Sequence, residues 1–370
     1  MNLIAVPWLG LMVVPLALAG ALLSVVSPWM AEGVLGLADR LMQILWWGLT
    51  QASDSNYAIV HPAHPAPWVL LLTLLGLGLV LFHPAIRIRV VGLCLFAPLF
   101  LPAGSPVKEH EFQVDFLDVG QGLAVVVRTA DHTLLYDAGF SNDTGFDIGQ
   151  RVLLPYFWHQ GITALDRVVL SHDDRDHIGG YASVSREIPV GQLTVMPGSK
   201  YLKDASNVAC RSGEYWAWNG VDFRFLHPQG DGDGKENNRS CVLRISSPHG
   251  RVLLTGDIEK SAETDLIALA NDQLPADILS APHHGSNTSS TSEFIASVNP
   301  KEVVYSAGFR NRFGFPKPAV VARYKMLDIK QWNTADSGML RYRFDDEKGH
   351  YQRWVYRHEK RRFWQSDAVE

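Results

Sequence analysis

The sequence predicts an α/β fold of mixed sheets with helices packed outside them, preceded by an apolar, membrane-embedded helical segment. Three observations predict it. Short apolar runs of strand length recur between residues 112 and 305, some of them at hairpin spacing. Helical stretches lie between several of them, clearest at 258–270 and Pro318–Met326. The first 105 residues are very apolar, with no charged side chain from Met1 to Ala31. The expected organisation is a helical segment over 1–105, a soluble α/β domain over 106–335, and a C-terminal strand with a basic aromatic tail over 336–370.

Taken in order, Ile4–Val26 is long enough to cross a hydrocarbon core of roughly 30 Å. It lacks the basic start and shorter apolar core of a cleaved signal peptide. Pro7 and Pro15 are tolerable in a membrane helix packed against others. Residues 34–50 carry Asp39 and Arg40 and read as an interfacial amphipathic helix rather than a span. Two shorter apolar runs, 68–82 and 90–101, are expected to be joined by a loop holding Arg87 and Arg89. A buried helical hairpin of a soluble domain is the alternative, against which stands the stiff polar loop 61–67 (HPAHPAP). If both runs span, the positive-inside rule puts Arg87 and Arg89 in the cytoplasm and the chain after residue 103 on the other side. The expectation is therefore a multi-pass protein of the cytoplasmic membrane with its soluble domain on the extracytoplasmic side.

After a linker at 101–108, strands are expected at 112–117, 123–128, Thr133–Tyr136, 167–170, 221–226, 242–245, 252–254, 277–280 and 303–305. Asp118, Asp137, His172, Asp257 and the pair His283–His284 each follow one of these strands. Loops at the strand ends of a rigid scaffold are where catalytic groups converge. The net charge of −5 argues against wholesale capture of nucleic acid but leaves room for a local basic groove. Cys94, Cys210 and Cys241 lack metal-ribbon or redox spacing, and Cys210 with Cys241 is a possible pair that does not by itself fix the compartment.

The strongest signal is LSHDDRDHIGG at 170–180. His172, Asp174 and Asp176 alternate, with His177 adjacent to the last, a spacing that on a tight turn sends His172 and Asp174 to one metal and Asp176 and His177 to a second. Carboxylates crowded against two imidazoles, Asp173 included, would repel one another without a cation. Gly179 and Gly180 let the chain turn close behind the site. Asp257, in VLLTGD, is the candidate shared ligand, its alternative being the cap of a helix that begins at Ile258. Adjacent side chains leave an extended backbone on opposite sides, so one of His283 and His284 is expected to ligate, taken as His284, and the other to remain free.

The order HxDxDH, TGD, HHGS resembles the metallo-β-lactamase superfamily. The phrases FLDVGQG, LLYDAGF, VLLPY, SHDDRDHIGG, NNRSCVLRI, LLTGDIE, APHHGSNTSS and YSAGFRNRFGFP resemble the hydrolase domain of the ComEC family of competence DNA-uptake proteins. Residues 2–7 (NLIAVP) resemble a stretch late in that family's membrane domain. The resemblance implies an αββα sandwich with two metals between the sheets, and a role for Asp137, with Asp118, behind the ligands, steering a metal-binding imidazole. Two departures stand out. Asp174 occupies a position that is histidine in the superfamily's fullest pattern, and no histidine lies in Asn237–Ser240, where another usually completes the first metal site. The carboxylate-rich set suits Mn²⁺ about as well as Zn²⁺. Family members also often carry histidine before the proline of the last motif, where this chain has Phe315–Pro316.

The chemistry expected is metal-dependent hydrolysis of a phosphodiester. Asp176 would orient the nucleophile as well as ligate, His283 would donate a proton, and Asn311, Arg310 or Lys317 would hold a phosphate oxygen. The resemblance implies single-stranded DNA as substrate and other competence-channel components as partners, alongside membrane lipid. The basic aromatic tail at 353–364 fits backbone contact plus base stacking, or equally a membrane surface. A phosphocholine esterase, a lactonase and a non-catalytic transport subunit stay open. The family carries several hundred residues ahead of the matching point, so its full pore is expected to need a further portion or partner.

Overall fold

The computed structural model describes residues 2–53, 65, 67–100, 106–230, 234–346 and 351–359. The loop 61–67 and the linker 101–108 fall largely outside the described residues, as does the basic tail from residue 360 on, whereas its residues 353–359 are described. The chain divides into two compact units, Met1–His61 and Pro62–Glu370.

In the first unit, α1 (Asn2–Trp8) runs through a π-helical turn (Leu9–Val13) into α2 (Val14–Val26), and α3 (Pro28–Ser53) folds back along it. Gly20 permits the close approach: a Cβ there would lie 2.6 Å from Leu35 Cγ. The Trp8 indole donates to Leu41 O at 3.0 Å. Ile4–Val26 is long and apolar enough to cross a membrane by length and composition. Most of its large apolar side chains are exposed, among them Leu11, Leu18, Leu22 and Val25. The helix expected at 34–50 is longer than that pattern suggested, spanning Pro28–Ser53.

The second unit opens with α4 (Pro67–Phe82) and α5 (Ile86–Cys94), which cross at Gly76 and Gly92. Arg87 and Arg89 lie within α5 rather than in the joining loop. The second run is split accordingly, into α5 and a 3₁₀ turn at Ala97–Phe100.

The soluble part then forms two sheets. The strands are β1 (Phe112–Phe116), β2 (Val125–Arg128), β3 (Thr133–Tyr136), β4 (Leu165–Leu170), β5 (Val190–Val195), β6 (Val208–Ala209), β7 (Tyr215–Trp218) and β8 (Val221–His227), followed by β9 (Val242–Ser247), β10 (Gly250–Leu254), β11 (Ile278–Ser280), β12 (Glu302–Tyr305), β13 (Lys330–Asn333), β14 (Leu340–Phe344) and β15 (Gln352–Val355). Among the described residues the first sheet runs β15-β14-β1-β2-β3-β4-β5-β6 and the second β13-β12-β11-β10-β9-β8-β7. Both are mixed. The steps β3-β4-β5-β6 and β10-β11-β12-β13 are parallel and the others antiparallel.

Period-two alternation assigns each strand two apolar faces. Val114, Phe116, Val125, Val127 and Tyr342 of the first sheet meet Phe223, Phe225, Leu243 and Val252 of the second in the core between them. The opposite residues face helices. Val126, Leu135, Val168 and Leu170 pack with α6 (Leu154–Gln160) and α8 (Tyr181–Glu187), which follows the one-turn helix α7 (Arg175–Ile178). Leu253, Leu279 and Val303 pack under α9 (Lys260–Ala270), α10 (Ser292–Val298) and α11 (Pro318–Met326). This is the αββα layering. β14, inserted between β15 and β1, makes Leu340–Phe344 and Gln352–Val355 part of the first sheet. Cys210, just after β6, and Cys241, just before β9, form a disulfide between the two sheets.

Candidate metal centre

The parallel order of β3 and β4 brings their C-terminal ends side by side, and β10 to β12 do the same in the facing sheet. Asp137 leaves β3, Ser171 and His172 leave β4, Asp257 follows β10, and His283–His284 follows β11. The backbone is bent to aim them: Asp137, His283 and His284 have φ of 57°, 50° and 54°. Left-handed non-glycine residues of this kind gather where surrounding structure enforces a functional geometry. The sequence expectation of an extended backbone at His283–His284 is corrected here, because the left-handed turn, not strand alternation, parts the two rings. Gly179 and Gly180 do let the chain pass close behind, since a Cβ on them would stand 2.1 Å from Ser141 N and 2.4 Å from Ala138 O.

Three imidazoles and three carboxylates converge. His172 Nε2 lies 3.4 Å from Asp174 Oδ2 and 3.9 Å from Asp257 Oδ2. His177 Nε2 lies 3.1 Å from Asp257 Oδ1 and 3.2 Å from His284 Nε2. His284 Nε2 lies 3.4 Å from Asp176 Oδ2 and 3.5 Å from Asp257 Oδ2. Two overlapping groups could each hold a cation: His172, His177 and Asp257, and Asp176, His177 and His284. The expected division, with His177 confined to the second set, is thus replaced by one in which His177 faces both. Asp257 sits among all of them. It does not cap the following helix, whose N-cap is Glu259.

A chain of hydrogen bonds sets which ring nitrogens face inward. His177 Nδ1 pairs with Asp137 Oδ2 at 2.7 Å. Asp137 also accepts from Ser171 N at 2.6 Å and Ser171 Oγ at 2.8 Å. Ser171 Oγ, having given its proton to Asp137, accepts from His172 Nδ1 at 2.9 Å. Both imidazoles then turn an Nε2 lone pair toward the centre. Ser171, fully buried, is a positioning residue that sequence reasoning missed. Its only signal was adjacency to His172.

This arrangement fits a cation and poorly fits its absence. His172 Nε2 and Asp257 Oδ1 are buried without a hydrogen-bond partner, and such orphans cost roughly 1–3 kcal/mol each. Protons alone would have to compensate. Burial opposes charge on His177, yet Asp257 and Asp137 outweigh it and hold the imidazole well above its ordinary range. Burial likewise opposes charge on His284, and Asp257 and Asp176 raise it nonetheless. Burial pushes the Asp257 and Asp176 carboxyls up, and the neighbouring imidazoles pull both below the usual carboxylate range. The His172 imidazole beside Asp174 lowers that carboxyl too.

Four residues sit elsewhere than expected. Asp173 faces away, accepting from Ser199 Oγ at 2.6 Å and Lys200 N at 3.0 Å, so it adds nothing to the crowding at the centre. Asp118 pairs with Arg357 Nη2 at 2.6 Å and is not brought behind the imidazoles. Asn311 is spent on its own loop, donating to Gly308 O at 3.0 Å and Phe315 O at 2.7 Å and accepting from Phe315 N at 2.9 Å. Lys317 Nζ donates to Phe313 O at 2.6 Å. His283 stands at the rim, 21% exposed, with Nε2 3.7 Å from Asp257 Oδ2 and Nδ1 3.1 Å from Thr288 Oγ1. Burial lowers its pKa, with Asp257 opposing. The disulfide braces the floor: Cys241 N donates to Ser171 O at 3.0 Å, and Tyr136 OH donates to Cys241 O at 2.6 Å.

Comparison with known proteins agrees with this geometry. The metallo-beta-lactamase superfamily profile matches residues 117–308, and the competence protein profile matches residues 1–87. Competence protein ComA of Neisseria gonorrhoeae is 32% identical over 345 residues, covering 92% of this chain and 47% of ComA. Uncharacterized protein YcaI of Escherichia coli (strain K12) is 33% identical over 93% of this chain and 44% of its own length. ComE operon protein 3 of Bacillus subtilis (strain 168) is 29% identical over 94% of this chain and 48% of its own. The chain spans about half the length of these relatives. With a superfamily profile over half its residues and a competence segment ahead of it, the chain belongs to the metallo-beta-lactamase superfamily, in the form that corresponds to the C-terminal part of the ComEC-type competence proteins.

Proposed function

We propose that the chain is a membrane-anchored, metal-dependent phosphodiesterase that degrades one strand of DNA during uptake. The observation that carries the hydrolase reading is the convergence of His172, His177, His284, Asp174, Asp176 and Asp257 on a centre with two orphaned buried atoms. His172, Asp174 and Asp257 would hold one divalent ion, Zn²⁺ or Mn²⁺, and Asp176, His284 and Asp257 a second, with His177 reaching both. Bound there, such ions supply Lewis acidity toward phosphoryl oxygens and lower the pKa of water. The chain's own groups do the rest. Asp137 and Ser171 hold the two imidazoles in register, and Asp176 orients the attacking water. His283, in reach of both solvent and Asp257, carries a proton to the leaving oxygen. The DNA reading rests on likeness to the competence relatives.

The same likeness, the exposed apolar faces of α2 and α4, and Arg87 and Arg89 near the tip of the α4–α5 hairpin support a multi-pass protein of the cytoplasmic membrane. The disulfide supports a hydrolase domain on the extracytoplasmic side, where thiols oxidise and stay oxidised. Other competence-channel components would then be its partners.

The test is cleavage of single-stranded DNA by the full chain in detergent with Mn²⁺ or Zn²⁺, beside His172→Ala and Asp257→Ala. Cleavage that both substitutions abolish supports the reading. A metal-loaded protein that cuts no nucleic acid, from a strain whose DNA uptake is unchanged by both substitutions, would overturn it in favour of a transport scaffold.

A further inference from the structure

The loop between β12 and α11 carries the sequence GFRNRFGFPK at 308–317. Of its three phenylalanines, two face the outside of an otherwise well-buried domain and Phe315 is half-buried. Phe309 is 70% and Phe313 42% exposed. Each ring is accompanied by a cation: Arg310 over Phe309 at 5.2 Å, Arg312 over Phe313 at 4.7 Å and Lys317 over Phe315 at 5.5 Å. Both arginines are exposed, and among the described residues neither guanidinium has a hydrogen bond or an acidic partner.

The loop leads to the metal centre. Phe313 stacks on Phe315, with centroids 5.5 Å apart and planes 16° from parallel. Phe315 in turn lies 5.8 Å from the His283 ring and 6.5 Å from the His284 ring. Nor is the loop slack. The Asn311 side chain ties Gly308 to Phe315, and Lys317 N donates to Gly285 O at 2.9 Å, beside the two histidines. A rigid row of ring faces, interleaved with unpaired guanidinium groups and ending at the metal ligands, matches one ligand chemistry. Bases stack on the faces while phosphates meet the cations. A lipid surface is the competitor, but rings topped by guanidinium groups offer flat, charged faces rather than an apolar wedge.

We propose that residues 308–317 form a guide for single-stranded nucleic acid, in which Phe309 and Phe313 stack bases and Arg310 and Arg312 hold phosphates, feeding the backbone toward the metal centre. The inference rests on the phosphodiesterase reading only in taking the bound strand to be the substrate.

Binding of a labelled oligothymidylate to the full chain in detergent, with EDTA present so that nothing turns over, tests it. Phe309→Ala and Phe313→Ala are each expected to weaken binding by roughly tenfold, and Phe313→Trp to preserve it. The double variant Arg310→Gln/Arg312→Gln should flatten the dependence of log Kd on log salt by about 1.4, at ~0.7 per phosphate lost. Unchanged affinity and salt slope in all variants would overturn the proposal, and so would a loss that tryptophan does not avert. Variants that bind the oligonucleotide normally but lose binding to phosphatidylglycerol vesicles would overturn it in favour of a lipid surface. Cleavage of bis-p-nitrophenyl phosphate by the unaltered chain with Mn²⁺ is scored separately. Its absence would count against the phosphodiesterase reading and leave the affinity result standing.

Discussion

The helices of residues 2–53 and the centre of the sandwich depart from the usual pattern of a folded chain in opposite directions. α2 and α3 leave Leu18, Leu22, Val25, Trp29 and Trp46 exposed, whereas the sandwich buries His172, His177, Asp137 and Asp257 almost completely. Isolated exposed apolar residues are ordinary, but a continuous apolar helix surface calls for a covering medium. Buried charge calls for a counter-charge. The same physical chemistry thus implies two kinds of partner, lipid for one region and cations for the other. Each region should fail independently when its own partner is denied.

The largest effect is expected from Asp257→Ala. Removing the carboxylate that faces His172, His177, His284 and His283 should abolish metal retention through dialysis, read by elemental analysis, while leaving the protein in the membrane fraction. Retention of a full metal complement would break the comparison, because the buried charge would then need no shared counter-ion. Next comes Leu18→Arg on the exposed face of α2. If α2 spans, a cation near its middle costs about 3 kcal/mol, so less of the protein should stay in the carbonate-resistant fraction while its metal affinity is unchanged. Coupled loss of both would mean that the two regions are not separable.

Ser171→Ala tests the sandwich more finely. It removes the hydroxyl between His172 Nδ1 and Asp137, and loss of such an outer hydrogen bond typically costs 10–100-fold in metal affinity, about 1.4–2.7 kcal/mol. Thr should restore part of it by supplying a hydroxyl. The smallest effect is on pH dependence. Because the carboxylates raise His177 and His284 against burial, their protonated forms persist to higher pH, and the metal must displace those protons. Affinity should therefore rise with pH, by at most about tenfold per unit for each proton displaced. Titration calorimetry in two buffers would read the released protons, and a pH-independent affinity would contradict the neutralising role given to them.

Much of the strand pattern was legible. Thr133–Tyr136 and Pro318–Met326 coincide with the expected bounds, and the other expected strands differ by one or two residues. β5, inside the first sheet, and the edge elements were not. β6 has two residues, and β13 and β15 carry polar or aromatic residues half exposed at sheet edges, so no apolar run marks them. Arg87 and Arg89 suggested a loop because charge interrupts an apolar run, but charge does not break a helix, and α5 includes them.

What the sequence determined by itself was which candidate ligands would converge, with the choice between His283 and His284 left open. His172, Asp174, Asp176 and His177 are neighbours in the chain, and Asp257 and His284 each follow a buried strand whose apolar run is plain to read. Local spacing was enough, since parallel strands deliver their C-terminal ends to one place. Only the tertiary structure decided how those ligands are shared and held. Asp118 pairs with Arg357 across 239 residues because β14 closes the first sheet beside β1. His177 faces both groups because Asp137, on the neighbouring strand, fixes its far nitrogen. Asn311 became the brace of its loop, and Phe315 the ring beside the ligands, because the backbone between β12 and α11 folds on itself. Those outcomes depend on which distant strands pair, and no local pattern of residue types carries that information.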